Sequence, residues 1–257
     1  MKKLSLLIAV LAFSFNTAQA KEWKQIRIGV EGAYPPYSQT EADGSVTGFD
    51  IDIANALCDE LKAKCTLVKQ DWDGIIPALL ARKYDAIIAT MDITAERKKK
   101  VAFTNKYQQV PARFVATKDA TFEATDAFMK GKKVGTQRAT TMDLYISDNF
   151  PSAEIKRYGS FDEAFLDLKS GRLDYVIADS AAVVGGLLDK EGGDKFAFIG
   201  PKLTNPKWFG EGAGIAVRKQ DKDLVEQLNA AIVAIRANGT YKQIQDKYFT
   251  FDIYGDE

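Results

Sequence analysis

The sequence predicts an α/β protein built of two similar lobes, and three observations carry that reading. Apolar runs of four or five residues alternate with helical-period segments from Arg27 to Ile199. This is the pattern of strands and helices in α/β proteins with parallel sheets. Two stretches repeat each other: Arg82-Lys83-Tyr84-Asp85-Ala86-Ile87-Ile88-Ala89-Thr90 and Gly171-Arg172-Leu173-Asp174-Tyr175-Val176-Ile177-Ala178-Asp179. Each follows an amphipathic helix and ends as a buried strand. Two strand starts also match, Ile26-Arg27-Ile28-Gly29-Val30-Glu31 and Lys132-Lys133-Val134-Gly135-Thr136-Gln137. A chain of 257 residues accommodates one large domain or two small ones, and the repeat favours two.

Residues 1–20 are read apart from the fold. Lys2 and Lys3 form a basic start, Leu4 to Phe13 is apolar, and Ala18-Gln19-Ala20 is a small-x-small cleavage site. These are the three parts of a secretory signal peptide, and the apolar run is too short to span a bilayer. The mature chain is expected to start at Lys21 and to work outside the cytoplasm. No later stretch reaches the roughly 18 apolar residues of a membrane-spanning helix.

The first lobe opens with the strand ending at Glu31, then the aromatic loop Tyr34-Pro35-Pro36-Tyr37. Cys58 and Cys65, the two cysteines of the chain, come next. In an oxidising compartment an even count suggests a bridge, here pinning a helix end to the next strand. Metal binding is the poorer alternative, with two thiolates and no histidine. Trp72 follows a further strand within Gln70-Asp71-Trp72-Asp73-Gly74, and another strand ends at Thr90. In Ala89-Thr90-Met91-Asp92-Ile93-Thr94-Ala95-Glu96-Arg97 a helix begins, with Thr94 or Asp92 as its cap. The run Lys98-Lys99-Lys100 reads as a solvated helix face.

In the second lobe a strand ends near Gln137, and Ala139-Thr140-Thr141 opens a helix. Another strand ends at Asp179, before the helix start Ser180-Ala181-Ala182-Val183. Beyond Ile199-Gly200-Pro201 a polar loop runs to Phe209-Gly210, followed by the strand Gly214-Ile215-Ala216-Val217. Leu224, Leu228, Ile232 and Ile235 then keep helical spacing up to the stop signal Asn238-Gly239. A last short helix holds Tyr241, Ile244 and Tyr248. This tail has no counterpart in the repeat and completes one lobe, so the chain crosses twice between lobes. The expected division is residues 21–110 plus 205–257 for lobe 1 and 111–204 for lobe 2.

Composition narrows the function. Lys and Arg number 35, and so do Asp and Glu. A neutral chain lacks the positive field that nucleic-acid binding requires. Histidine is absent, which removes Ser-His-Asp and Cys-His catalysis and histidine metal ligation. No metal and no cofactor are expected.

Ligands of open α/β sheets bind beyond the carboxyl ends of strands. Those ends are Glu31, Thr90, Gln137 and Asp179, drawn from both lobes, and they share one cleft if the lobes face each other. A guanidinium fork at Arg97 matches a carboxylate; a plain surface arginine is the alternative. Thr140 and Thr141 supply hydroxyls for a ligand carboxylate or simply cap their helix. Asp179 suits a ligand ammonium or caps the next helix. Tyr34 and Trp72 offer aromatic faces to a planar cation, or pack their loops.

Together these motifs resemble the periplasmic solute-binding proteins of ABC importers, in the polar and basic amino-acid branch. The resemblance covers the whole chain. It rests on Tyr34-Pro35-Pro36-Tyr37, Gly48-Phe49-Asp50-Ile51-Asp52-Ile53, Cys58 to Cys65, and Trp72-Asp73-Gly74-Ile75-Ile76-Pro77. It rests further on Asp92-Ile93-Thr94 with Arg97, Gly171-Arg172-Leu173-Asp174, Phe209-Gly210-Glu211-Gly212 and Gly239-Thr240-Tyr241. The resemblance implies two Rossmann-like lobes joined by a two-strand hinge, the type II periplasmic binding protein fold. It implies closure over a basic amino acid and delivery to an inner-membrane ABC permease, by a monomer.

By position, Arg97 would hold the α-carboxylate, helped by Thr141 and main-chain N–H groups near Asp92. Asp179 would take the α-ammonium, with Ala89, Thr90 and Met91 nearby. Tyr34 and Trp72 would sandwich the side chain, and Glu31 would face its positive end. Met91-Asp92-Ile93-Thr94 resembles arginine-selective members, and Gln137 adds a polar contact to a guanidinium, so L-arginine is the expected ligand. Lysine, ornithine, histidine or an opine is the alternative on the same scaffold. A periplasmic cyclohexadienyl dehydratase-like enzyme, with Glu31 as its acid, is the reading from another class. Arg138 is expected to point away from the cleft.

Overall fold

The computed structural model describes residues 22–255. The expected signal peptide lies outside the described residues. Strand β1 (Gln25–Val30) places Ile26, Ile28 and Val30 in the core, and two short hairpin strands with a third follow, β2 (Ala33–Tyr34), β3 (Ser38–Thr40) and β4 (Val46–Thr47). Helix α1 (Phe49–Glu60) buries Phe49, Ile53 and Leu57, which recur at helical spacing. Then come β5 (Lys64–Lys69), α2 (Ile75–Leu80), β6 (Ala86–Ile87), α3 (Ala95–Lys98) and β7 (Ala102–Gln108). Cys58 of α1 is bonded to Cys65 of β5, with Cα atoms 6.1 Å apart.

The chain then enters a second sheet. Its elements are β8 (Ala112–Thr117), α4 (Asp126–Met129), β9 (Lys133–Gln137), α5 (Thr141–Asn149) and β10 (Glu154–Tyr158). They continue with α6 (Phe161–Lys169), β11 (Tyr175–Asp179), α7 (Ser180–Val183) and β12 (Phe196–Leu203). After α8 (Pro206–Phe209), strand β13 (Ala213–Val217) rejoins the first sheet, and α9 (Lys222–Ala237) and α10 (Thr240–Tyr248) pack against α1. The junction between these two helices is Gly239 at φ +84°, the left-handed stop that the Asn-Gly pair announces.

The two five-stranded sheets share one plan. The first runs β5-β1-β6-β13-β7 and the second β10-β9-β11-β8-β12. Both differ from the fully parallel sheets that the alternating pattern suggests. In the first, β13 is antiparallel to β6 and β7; in the second, β8 is antiparallel to β11 and β12. The reason lies in the crossings. β8 and β13 are the strands by which the chain enters a sheet from its partner, so they start at the edge where the parallel strands finish.

The second difference is at β6. The pattern reads as a strand through Thr90, but pairing stops at Ile87. Thr90 takes φ +47°, a left-handed turn that carries the chain out of the sheet.

Candidate functional site

The carboxyl edges of the two sheets face each other, and a small, partly open pocket lies between them. Eleven residues expected at the site line it: Glu31, Tyr34, Trp72, Ala89, Thr90 and Asp92 with Arg97, Gln137, Thr140, Thr141 and Asp179. Met91 does not. Its side chain is fully buried with Ile75, Leu79 and Ile87 under the first sheet, and only its carbonyl is used, accepting from Gly214 N at 3.0 Å.

Local structure explains each position. Glu31 follows the last residue of β1, and Gln137 and Asp179 end β9 and β11. Thr94 caps α3 by accepting from Arg97 N at 3.2 Å, so Asp92 is free for the pocket. Thr140 caps α5 through Asp143 N at 3.1 Å. Asp179 occupies the cap position of α7 but its carboxylate makes no cap hydrogen bond. It accepts from the Tyr34 hydroxyl at 2.6 Å instead.

Further contacts cross the cleft. Gln137 Nε2 donates to Glu31 Oε1, and also to the carbonyl of Gly159 at 2.9 Å. Thr141 Oγ1 donates to Asp92 Oδ2 at 2.6 Å. Trp72 Nε1 donates to the Ala139 carbonyl at 3.3 Å. Arg138 is exposed and points to the rim, where Nη1 meets Asp73 Oδ2 at 3.1 Å.

Arg97 is anchored by Nη1 donating to the Asp92 carbonyl at 3.0 Å, and its guanidinium carbon lies 5.2 Å from the Trp72 ring centroid. This leaves most of its fork for the pocket it lines. Tyr34 stacks on Phe161 at 5.3 Å and 27°.

Glu31, Asp92 and Asp179 thus share a small buried space with Arg97. Burial pushes the Glu31 carboxyl up to about 7, against the opposing effect of its Gln137 hydrogen bond. Burial raises Asp179 well above the usual carboxylate range, and Asp92 adds to the rise. Burial also raises Asp92, while Arg97 and Thr141 pull it back. Burial lowers Arg97, which Asp92 and Asp179 oppose. Three carboxylates facing one guanidinium make a site for a ligand with more positive than negative charge.

Two lining residues lie outside the sequence expectation, Met142 and Phe161. Phe161 carried a usable signal. Ser160-Phe161-Asp162 stands in the second copy of the repeat where Asp71-Trp72-Asp73 stands in the first. Met142 follows two threonines at a helix start and has no such marker. Among the described residues no group of three or more Cys, Asp or Glu is arranged to hold a metal ion, and no helix is long and apolar enough to cross a membrane.

Residues 26–251 match the bacterial extracellular solute-binding proteins, family 3. An L-arginine-binding protein of Pseudomonas aeruginosa is 53% identical over 99% of each chain. An ABC transporter arginine-binding protein of Escherichia coli K12 is 43% identical over 97% of this chain and 99% of its own. Among solved structures, a Salmonella typhimurium periplasmic binding protein described for high arginine specificity superposes with a TM-score of 0.81. It is 38% identical, over 88% of this chain and all of that one.

Proposed function

The chain belongs to the bacterial extracellular solute-binding proteins, family 3, and from that premise we propose that it is the periplasmic component of an ABC importer, binding L-arginine as a monomer and presenting it to an inner-membrane permease. One observation supports the choice of ligand above others: the buried carboxylates of Glu31 and Asp179 and the half-buried one of Asp92 share the pocket with a single arginine. A zwitterion with an added cation suits that set: Arg97 pairs with the α-carboxylate, Asp179 with the α-ammonium and Glu31 with the added cation, while Asp92 keeps Thr141 and the Arg97 charge as its partners.

Arg97 takes the α-carboxylate, joined by the main-chain N–H of Thr141 at the start of α5, since the Thr141 hydroxyl proton goes to Asp92. Asp179 takes the α-ammonium, with Thr90 beside it. Glu31, steadied by Gln137, faces the guanidinium between the rings of Tyr34 and Trp72. Ligand contacts come from both lobes, so hinge rotation completes the site. The first crossing lies between β7 and β8 and the second between β12 and β13, which supports lobes of residues 22–110 with 205–255 and of residues 111–204.

The test is a thermal-shift screen of refolded mature protein. A ligand at 100 times its dissociation constant stabilises by about 2.7 kcal/mol. L-arginine is expected to give a large shift. Citrulline, which lacks the cation, and agmatine, which lacks the carboxylate, are expected to give little. Equal shifts for arginine and citrulline would remove Glu31 from its role.

The competing class is a dehydratase that uses Glu31 as a proton donor, a role its carboxyl at about 7 would suit. No turnover of prephenate or arogenate is expected, and measurable turnover would reverse the assignment.

A further inference from the structure

Thr90 is tied into a closed ring of hydrogen bonds that involves no other pocket residue. Its main-chain N–H donates to the Tyr107 hydroxyl at 2.9 Å. That hydroxyl donates to Asp50 Oδ1 at 2.8 Å. The Thr90 hydroxyl donates to Asp50 Oδ2 at 2.9 Å. Asp50 comes from the first turn of α1, is wholly buried and does not line the pocket. Tyr107 is the penultimate residue of β7, just before the chain crosses to the other lobe.

The direction of each bond follows from chemistry. An ionised carboxylate only accepts, so both hydroxyls must point their protons at Asp50. The Tyr107 oxygen then has only lone pairs to offer the Thr90 N–H. Both protons of Thr90 are consumed in the ring. The carbonyl oxygen and the outer lone pair of the hydroxyl remain for the pocket. The ring also holds Thr90 at φ +47°, which a β-branched residue seldom adopts unaided.

We infer that Asp50 is a positioning residue that makes Thr90 a pure hydrogen-bond acceptor toward the ligand, so that the site selects a protonated α-amine over an α-hydroxyl or α-keto group. This rests on the amino-acid reading above. Asp179 supplies charge to the amine, and Thr90, set by Asp50, supplies a directed acceptor. An α-hydroxy acid offers one proton where an α-ammonium offers three, so it leaves an acceptor facing an acceptor. An unmet buried acceptor is costly.

The experiment measures dissociation constants by titration calorimetry for L-arginine and for argininic acid, its α-hydroxy analogue. It is run at pH 8.5, well above the value of about 7 to which burial raises Asp50. In Asp50→Asn an amide N–H₂ donates where the carboxylate accepted, and one ring hydroxyl is turned outward. Arginine is expected to weaken about tenfold while argininic acid stays within about twofold, the size of one charge-assisted hydrogen bond. Adding Asp50→Asn to Thr90→Ala is expected to leave the ratio unchanged, since the group being oriented is gone.

An unchanged ratio in Asp50→Asn overturns the inference, as does equal weakening of both ligands, which a purely structural role predicts. The same drop in the Thr90→Ala background also overturns it. Where Asp50→Asn does not fold, Tyr107→Phe breaks the ring with the aromatic packing kept. A reduced arginine preference then supports the inference, and an unchanged one defeats it. Wild-type protein that binds no arginine defeats the functional reading itself, a result separate from all of these.

Discussion

The Tyr34 hydroxyl donates a 2.6 Å hydrogen bond to Asp179 Oδ2. The two residues are 145 positions apart in sequence and belong to opposite lobes, so the bond bridges the cleft. It leaves the other carboxylate oxygen for a ligand amine and prevents Asp179 from capping its own helix. Asp179→Asn is expected to weaken arginine by about 2–5 kcal/mol, because the ligand ammonium loses its counter-charge. Tyr34→Phe keeps the ring and loses only the bond, with about 1.5–3 kcal/mol expected. Calorimetric titration of both variants checks the order; a larger loss in Tyr34→Phe would contradict the assignment of Asp179.

Glu31 is expected to make affinity depend on pH. Its carboxyl rises from 4.5 to about 7 in the folded protein. Between those values the folded chain keeps a proton that the unfolded chain has lost, so the stability from this group falls as pH rises through the window. A guanidinium alongside favours the ionised form, and binding then releases a proton. Arginine is expected to bind more tightly as pH goes from about 6 to 8, then level off, while citrulline stays flat. Titration in two buffers of different ionisation heat counts the protons, and parallel profiles for the two ligands would exclude the pairing.

Phe161 is 2% exposed and supports Tyr34 from the opposite lobe. Phe161→Ala is expected to cost about 3–5 kcal/mol of folding stability. Phe161→Leu keeps most of the volume and loses the stack, worth about 0.5–1.5 kcal/mol. Its effect is expected as faster arginine release in stopped-flow measurements with the melting temperature nearly kept. An unchanged release rate would mean that the stack does not contribute to closure.

The bond between Cys58 and Cys65 closes a short loop at the end of the first sheet away from the cleft. On the chain-entropy account it contributes about 2.5 kcal/mol. Reduction is expected to lower the melting temperature by roughly 5–10 °C, at about 2–4 °C per kcal/mol for a chain of this size. Arginine affinity at 25 °C is expected to stay the same; a parallel loss would show strain passing from that end of α1 to the pocket.

Arg138 and Asp73 form a rim contact at 3.1 Å with side chains 48% and 44% exposed. Exposed pairs are worth about 0.2–1 kcal/mol. Arg138→Ala is expected to speed arginine release by at most about fivefold, with the difference disappearing in high salt. Arg138→Asp combined with Asp73→Arg is expected to restore the rate. Failure of the swap to restore it would assign the effect to the second Arg138 contact, Nε donating to the Tyr158 carbonyl at 3.2 Å.

What the sequence determined by itself is local or repeated. The repeat marks two lobes, the polar residues at strand ends mark one cleft, and Thr94 and Thr140 announce their helices by short-range hydrogen bonding. These signals act over a few residues, and a pattern can carry them. Tertiary structure decided the rest. β8 and β13 run antiparallel because the chain enters each sheet from the cleft side. Asp179 binds Tyr34 and not its own helix, and Tyr107 and Asp50 take the two protons of Thr90. Each of these pairings joins residues tens to hundreds of positions apart. Which donor meets which carboxylate depends on how two packed lobes approach each other, and no local periodicity encodes that distance.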